Sequence, residues 1–125
     1  MSQCNPGQVL SFVQEGDLTA ACYQVVQQGA TDKSVKIAGA GTLNIGVVFK
    51  NPNSTTDAVA VVISGSAMVK AGGNITRGNY LITDTNGDVV ASTPTDKDKI
   101  IGIAMESAVD NDIFEMTIAI FTMSV

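Results

Sequence analysis

Short runs rich in Val, Ile and Thr recur along the whole chain, each closed off within a few residues by Gly, Asn, Asp, Ser or Pro. This punctuation leaves no room for a sustained 3.6-residue apolar period. Continuous or alternating apolar runs between turn formers are instead the signature of strands. The fold class is therefore all-β, a small β-barrel or β-tulip-like sandwich. Predicted strands are Gln8 to Val13, Tyr23 to Gln27, Ser34 to Ala38, Asn44 to Phe49, Ala58 to Val69, Tyr80 to Thr83, Val89 to Ala91, Ile100 to Met105 and Phe114 to Thr122. One short helix is the alternative around Leu18-Thr-Ala-Ala-Cys22, although Tyr23, Val25 and Val26 favour β structure.

The clearest turn is Asn86-Gly87 between Tyr80-Leu-Ile-Thr and Val89-Val-Ala, where Asn-Gly accepts the positive φ of a tight hairpin. The segments from Asn51 to Ser54, Ala71 to Asn74 and Thr93 to Lys99 read as loops. A degenerate internal duplication relates residues 23–69 to 80–125. Tyr23-Gln-Val-Val matches Tyr80-Leu-Ile-Thr, Ile45-Gly-Val-Val-Phe matches Ile101-Gly-Ile-Ala-Met, and Asp57-Ala-Val-Ala-Val matches Asp112-Ile-Phe-Glu-Met. Chance similarity among Val, Ile, Gly and Asp segments is the competing explanation.

The 125 residues make one domain, 1–125, with residues 1–16 as a candidate N-terminal arm. A chain of this length buries about two-thirds of its unfolded surface and builds a core without staples. It contains no His, which excludes Ser-His-Asp and Cys-His catalysis and His-ligated metals. With 7 Lys+Arg against 12 Asp+Glu the net charge is -5, so nucleic acid is not an expected partner. From Ile100 to Val125 stand Glu106, Asp110, Asp112 and Glu115 with no Lys or Arg, an acidic and solubilising end. Cys4 and Cys22 have neither zinc-knuckle nor redox spacing, and are expected as reduced thiols, with a mutual disulfide as the alternative. Nothing in Met1 to Gly7 directs secretion. The longest charge-free apolar stretch, Ala58 to Val69, is too short to cross a bilayer, so no membrane partner is expected.

Local motifs each favour structure over chemistry. Asp84-Thr-Asn-Gly-Asp88 resembles the start of a calcium loop, but Val89 and Thr95 stand where Gly and Glu would be needed, so a β-turn is expected. Ser64-Gly-Ser66 lacks an activating base, apart from Lys70 nearby. The stretch from Ala67 to Gly73 resembles the lysine hairpin of biotinyl and lipoyl carriers but lacks their Met and acidic flanks around Lys70. Gly39-Ala-Gly41 lacks the rest of a dinucleotide fingerprint. Asp110-Asn-Asp112 reads as a capped turn before a strand. No catalytic residue, metal ligand or cofactor is assigned, and the chain is not expected to be an enzyme.

From Gly65 to about Ile120 the sequence resembles the phage capsid decoration, or cement, proteins, and more loosely the lambda-type head decoration proteins. The resemblance is carried by Ile75-Thr-Arg-Gly78-Asn79-Tyr80-Leu-Ile-Thr-Asp-Thr-Asn-Gly-Asp-Val-Val, then Lys99-Ile-Ile-Gly102-Ile-Ala104, then Asp110-Asn-Asp112-Ile-Phe-Glu-Met. It departs from that pattern in the long segment from Gly16 to Asp57 and at Asp110-Asn-Asp112. The resemblance implies a non-catalytic protein on the outer surface of a phage head, bound to the major capsid protein, self-associated as a homotrimer and stabilising the shell. A tail, baseplate or fibre module is the alternative. An arm that extends a neighbouring sheet is a further family trait, which here points to Gln8, Val9, Leu10, Phe12 and Val13 as contact residues. Phe121 and Met123, in the unusually apolar C-terminal segment, complete the expected capsid or subunit contacts.

Overall fold

The computed structural model of the chain describes residues 6–93 and 98–122. Its strands are β1 (Pro6–Gln14), β2 (Val25–Gln28), β3 (Ser34–Ile37), β4 (Asn44–Lys50), β5 (Val59–Lys70), β6 (Tyr80–Thr83), β7 (Val89–Ala91), β8 (Lys99–Ala104) and β9 (Ile113–Thr122). They form one sheet ordered β1-β3-β2-β4-β5-β9-β8-β6-β7, with an added β1–β5 pairing. Among the described residues there is no helix. The stretch around Leu18 forms successive turns instead, closed by Ala21 N–H to Leu18 O and Gln24 N–H to Ala21 O.

The architecture is sandwich-like rather than a regular barrel. β1 pairs antiparallel with β5 and parallel with β3, so the first five strands return on themselves. Bulges interrupt this ring in the β1–β5, β2–β4 and β4–β5 ladders. The strand order β3-β2-β4-β5 recurs as β7-β6-β8-β9. Gly46 lies opposite Val26 in the first set as Gly102 lies opposite Leu81 in the second. This register places Val25 and Val26 where Tyr80 and Leu81 stand, not Tyr23 and Gln24. The Tyr23–Tyr80 match of the sequence is therefore displaced by two positions, because Tyr23 belongs to the turn before β2.

Two apolar cores lie on opposite faces of the β2-β4-β5 layer. Val26, Val48 and Val61 join Leu18, Val35 and Val59 on one face. Val25, Val47 and Val62 join Leu81, Ile101, Phe114 and Met116 on the other. Because the pleat alternates, adjacent valines serve different cores, which explains three Val-Val pairs in short strands buried on both sides. β5 contributes to both cores along its length, and Gly65, at φ 81, sits where the alternation changes phase. Before it Val59 and Val61 face the first core, and beyond it Ala67 and Val69 face the second. Ordinary L-residues meet a cost of about 1–2 kcal/mol in such a left-handed conformation.

The Asn86-Gly87 hairpin forms, in a five-residue loop rather than a two-residue turn. Asp84 N–H donates to Asp88 O and Gly87 N–H to Asp84 O, with Gly87 alone at positive φ. Asp84 Oδ1 accepts the amides of Asn86 and Asp88, so this carboxylate serves the turn. The loop is tied to the other half through Val25 N–H to Gly87 O at 2.8 Å and Gln24 Nε2 to Asn86 O at 3.0 Å.

Gly46 and Gly102 also permit close strand crossings. A Cβ on Gly46 would collide with the Val62 carbonyl, and one on Gly102 with the Thr117 carbonyl and the Met116 side chain. Gly46→Ala and Gly102→Ala are each expected to lose about 1–3 kcal/mol in chemical denaturation, as overpacked sites do. Gly73→Ala, where a Cβ meets open space, should leave the unfolding midpoint in place.

Candidate functional site

The most distinctive surface begins at the turn before β2. Tyr23 has φ 74, an unfavourable conformation for an aromatic residue. It is held there by backbone bonds on both sides, its N–H donating to Val48 O at 3.1 Å and its carbonyl accepting from Lys70 N–H at 3.0 Å. Cys22 N–H donates to Asn51 Oδ1 at 2.8 Å, and Cys22 Sγ to Phe49 O at 3.5 Å. The turn is thus clamped onto the ends of β4 and β5, and it projects the Tyr23 ring beside Phe49 and Met68 over a cleft of about 250 Å³ floored by Val47, Val62 and Ala67.

Phe49 also borders a second, wider depression of about 440 Å³ whose wall includes Val9, Ala60, Lys50 and Asp57. The two depressions meet at Phe49 and form a groove that is apolar at its Tyr23 end and mixed at its Val9 end, where Lys50, Asn51, Asn53 and Asp57 join the lining. Tyr23, Phe49 and Val9 remain 39%, 42% and 39% exposed along it. Clustered exposed apolar side chains of this kind mark a contact surface. The groove is suited to holding apolar side chains of a partner, and its only charged lining residues are Lys50 and Asp57.

A second exposed apolar surface is the end of β9. β9 pairs with β5 only between Ile113 and Thr117, but with β8 as far as Thr122. Residues 118–122 consequently have a strand on one side only among the described residues. Ile118 packs against the second core, while Ile120 and Phe121 are exposed. Phe121 meets Tyr80 edge-on, ring centroids 6.0 Å apart, a favourable aromatic geometry.

Among the described residues, those expected from sequence to make contacts lie on two strands, β1 and β9. Gln8, Val9, Leu10 and Val13 are exposed on β1, but Phe12 turns inward against the first core. The stretch from Gln8 to Val13 is a strand of the molecule's own sheet, its pairing with β5 running through Val9 opposite Val62 and Leu10 opposite Val61. Phe121 lies on β9, which does not pair with β1. Met123, and Cys4 with its possible pairing, lie outside the described residues. Tyr23, Phe49 and Met68 were not distinguishable in the sequence, because the groove exists only once the β2 turn is laid across β4 and β5.

The other motifs are occupied structurally. Lys70 lies within β5 opposite Ile113 rather than at a hairpin tip. Asp112 Oδ2 accepts Val109 N–H, closing the turn in which Asn111 has φ 72. Ser66 Oγ donates to Glu115 Oε2 at 2.7 Å, and Glu115 N–H to Glu106 Oε2 at 2.8 Å. The Thr19 hydroxyl and amide donate to Asp17 Oδ1 and hold its carboxyl below the ordinary range. Among the described residues no group of three or more His, Cys, Asp or Glu side chains is arranged to hold a metal ion.

The pairing order defines an all-β, sandwich-like fold built on a shared central layer. No protein family matches the sequence, and no curated protein is similar to it. Among solved structures, the chain is similar to the N base of head fiber gp8.5 of bacteriophage phi29. The match has a TM-score of 0.70 at 20% identity and covers 90% of this chain and 93% of that one. At that identity the similarity establishes a shared fold.

The clamped turn has a chemical consequence at Cys22. Burial pushes its thiol pKa up, against an opposing hydrogen bond with Tyr23. Less thiolate is then present near pH 8 than in a free cysteine. In a Cys4→Ser background under reducing conditions, the pH midpoint for iodoacetamide alkylation should lie above that of the urea-unfolded chain.

Proposed function

We propose that this protein is a non-catalytic structural component of a phage head, seated on the outer surface of the shell through the major capsid protein and self-associated as a homotrimer. The observation that carries the reading is the shared fold with the phi29 head fiber N base over nearly the whole of both chains. The long Ile75-to-Met116 line supports the same setting independently, through its resemblance to capsid decoration proteins.

Two forms of this role follow from the two likenesses. The structural neighbour favours a head-fibre base, and the sequence resemblance favours a cement protein that clamps an expanded shell. Both require docking by surface complementarity, with affinity set by a few buried apolar anchors. Exposed Leu10 and Val13 on β1 are suited to that task.

Purified protein mixed with expanded, undecorated capsids of its virus should co-sediment saturably, near one trimer per lattice three-fold. A decorating role further predicts that the loaded shells resist heat or chelator disruption better than bare ones. Binding without added shell stability would favour the fibre-base form. Failure to bind at any stage of shell maturation would reject both.

A further inference from the structure

We propose that copies of this chain join head to tail, the end of β9 in one copy seating in the Tyr23–Phe49–Val9 groove of the next. The inference rests on the self-association in the functional reading above and specifies its contact.

The argument begins with what each surface lacks. Among the described residues, residues 118–122 of β9 have a pairing strand on one side only and present Ile120 and Phe121 to solvent. No charged residue occurs from Met116 to Thr122, in a chain with 12 acidic residues. Unprotected strand ends normally carry charge, Pro or a covering element, because an apolar open end recruits another chain. The groove offers a reciprocal surface, a concavity whose Tyr23–Phe49 part is apolar and bordered by exposed aromatic rings.

Charge favours a second copy as the occupant. In a molecule of net charge -5, copies can approach closely only where acids are sparse or matched. Lys99 stands opposite Thr122, beside the tip of the β9 end, no acid occurs from Met116 to Thr122, and in the far part of the groove Asp57 is accompanied by Lys50. Seating the strand end in the groove therefore sets no net negative charge against another. The acids Glu106, Asp110 and Asp112 belong to the segment between β8 and β9, away from that tip in sequence and pairing.

The two surfaces are different, so the contact is heterologous. It closes into a ring when the rotation between copies permits, and each copy then uses its groove once and its strand end once. A complementation test follows from this asymmetry. Light scattering should give an oligomer for the wild type and a monomer for Phe49→Asp and for Phe121→Asp. Mixed in equal amounts, those two variants should form dimers, because one intact groove and one intact strand end remain between them. Leu43→Asp, at a position 60% exposed and outside both surfaces, should keep the wild-type mass.

Thermal melts check that each variant is folded. If either Asp variant is not, Phe49→Ser and Phe121→Ser replace them, with self-association expected to weaken on the order of tenfold or more. A folded groove or strand-end variant that keeps the wild-type mass overturns this contact while leaving self-association standing. So does an equal mixture that stays monomeric. A wild type that is monomeric at about 100 µM, a concentration sufficient for micromolar affinity, overturns both this contact and the trimer, and leaves shell docking to the co-sedimentation result.

Discussion

The structure depends on one layer being buried on both of its faces. Val25, Val47 and Val62 lie in a row across β2, β4 and β5 and face the second half of the molecule, while Val26, Val48 and Val61 face the first. Neither core can be removed without exposing this layer, so the two halves stabilise each other through a shared wall rather than a conventional interface. The hydrophobic return is large, since each fully buried valine contributes on the order of 1.5–3 kcal/mol relative to exposure. The constraint is equally strict: a one-residue register slip of any of these strands would exchange the cores its valines serve.

The positions that look least chemical follow from that wall. Gly65 lets β5 leave one core and enter the other without ending the strand, which is why a single twelve-residue strand can border both halves. Gly46 and Gly102 keep the crossing strands close at matching registers. The phi29 neighbour shares the fold at only 20% identity. That is consistent with an architecture specified by pleat alternation and backbone approach, for which many β-branched residues can substitute for one another.

Much of this was legible in the sequence because the signals are local. Every strand was expected within two residues of its observed bounds, and the loop at Asn86-Gly87 follows from turn chemistry. Four features were not legible, and they share a cause. The start of β2 was placed at Tyr23 because an aromatic residue ahead of Val-Val reads as strand, whereas backbone bonds to Val48 and Lys70, distant in sequence, hold it in a turn. The inward direction of Phe12 depends on β1 pairing with both β3 and β5. The groove depends on the same long-range pairing, since Val9, Tyr23, Phe49 and Met68 come from four separate segments. The β9 end was visible as an apolar stretch, but its missing neighbour was not, because only the pairing ladders show where β5 departs.

That departure links the fold to its surfaces. β5 cannot follow β9 beyond Thr117, since its remaining length is committed to β1 and β4 in the first half. The strand that joins the two cores thus leaves the end of β9 uncovered. Burying the open end inside the monomer would require β5 to give up its ladder with β1, which contains Val9 opposite Val62 and Leu10 opposite Val61. Among the described residues, an exposed apolar strand end is the geometric remainder of a well-packed double core, the kind of open strand that recruits another chain.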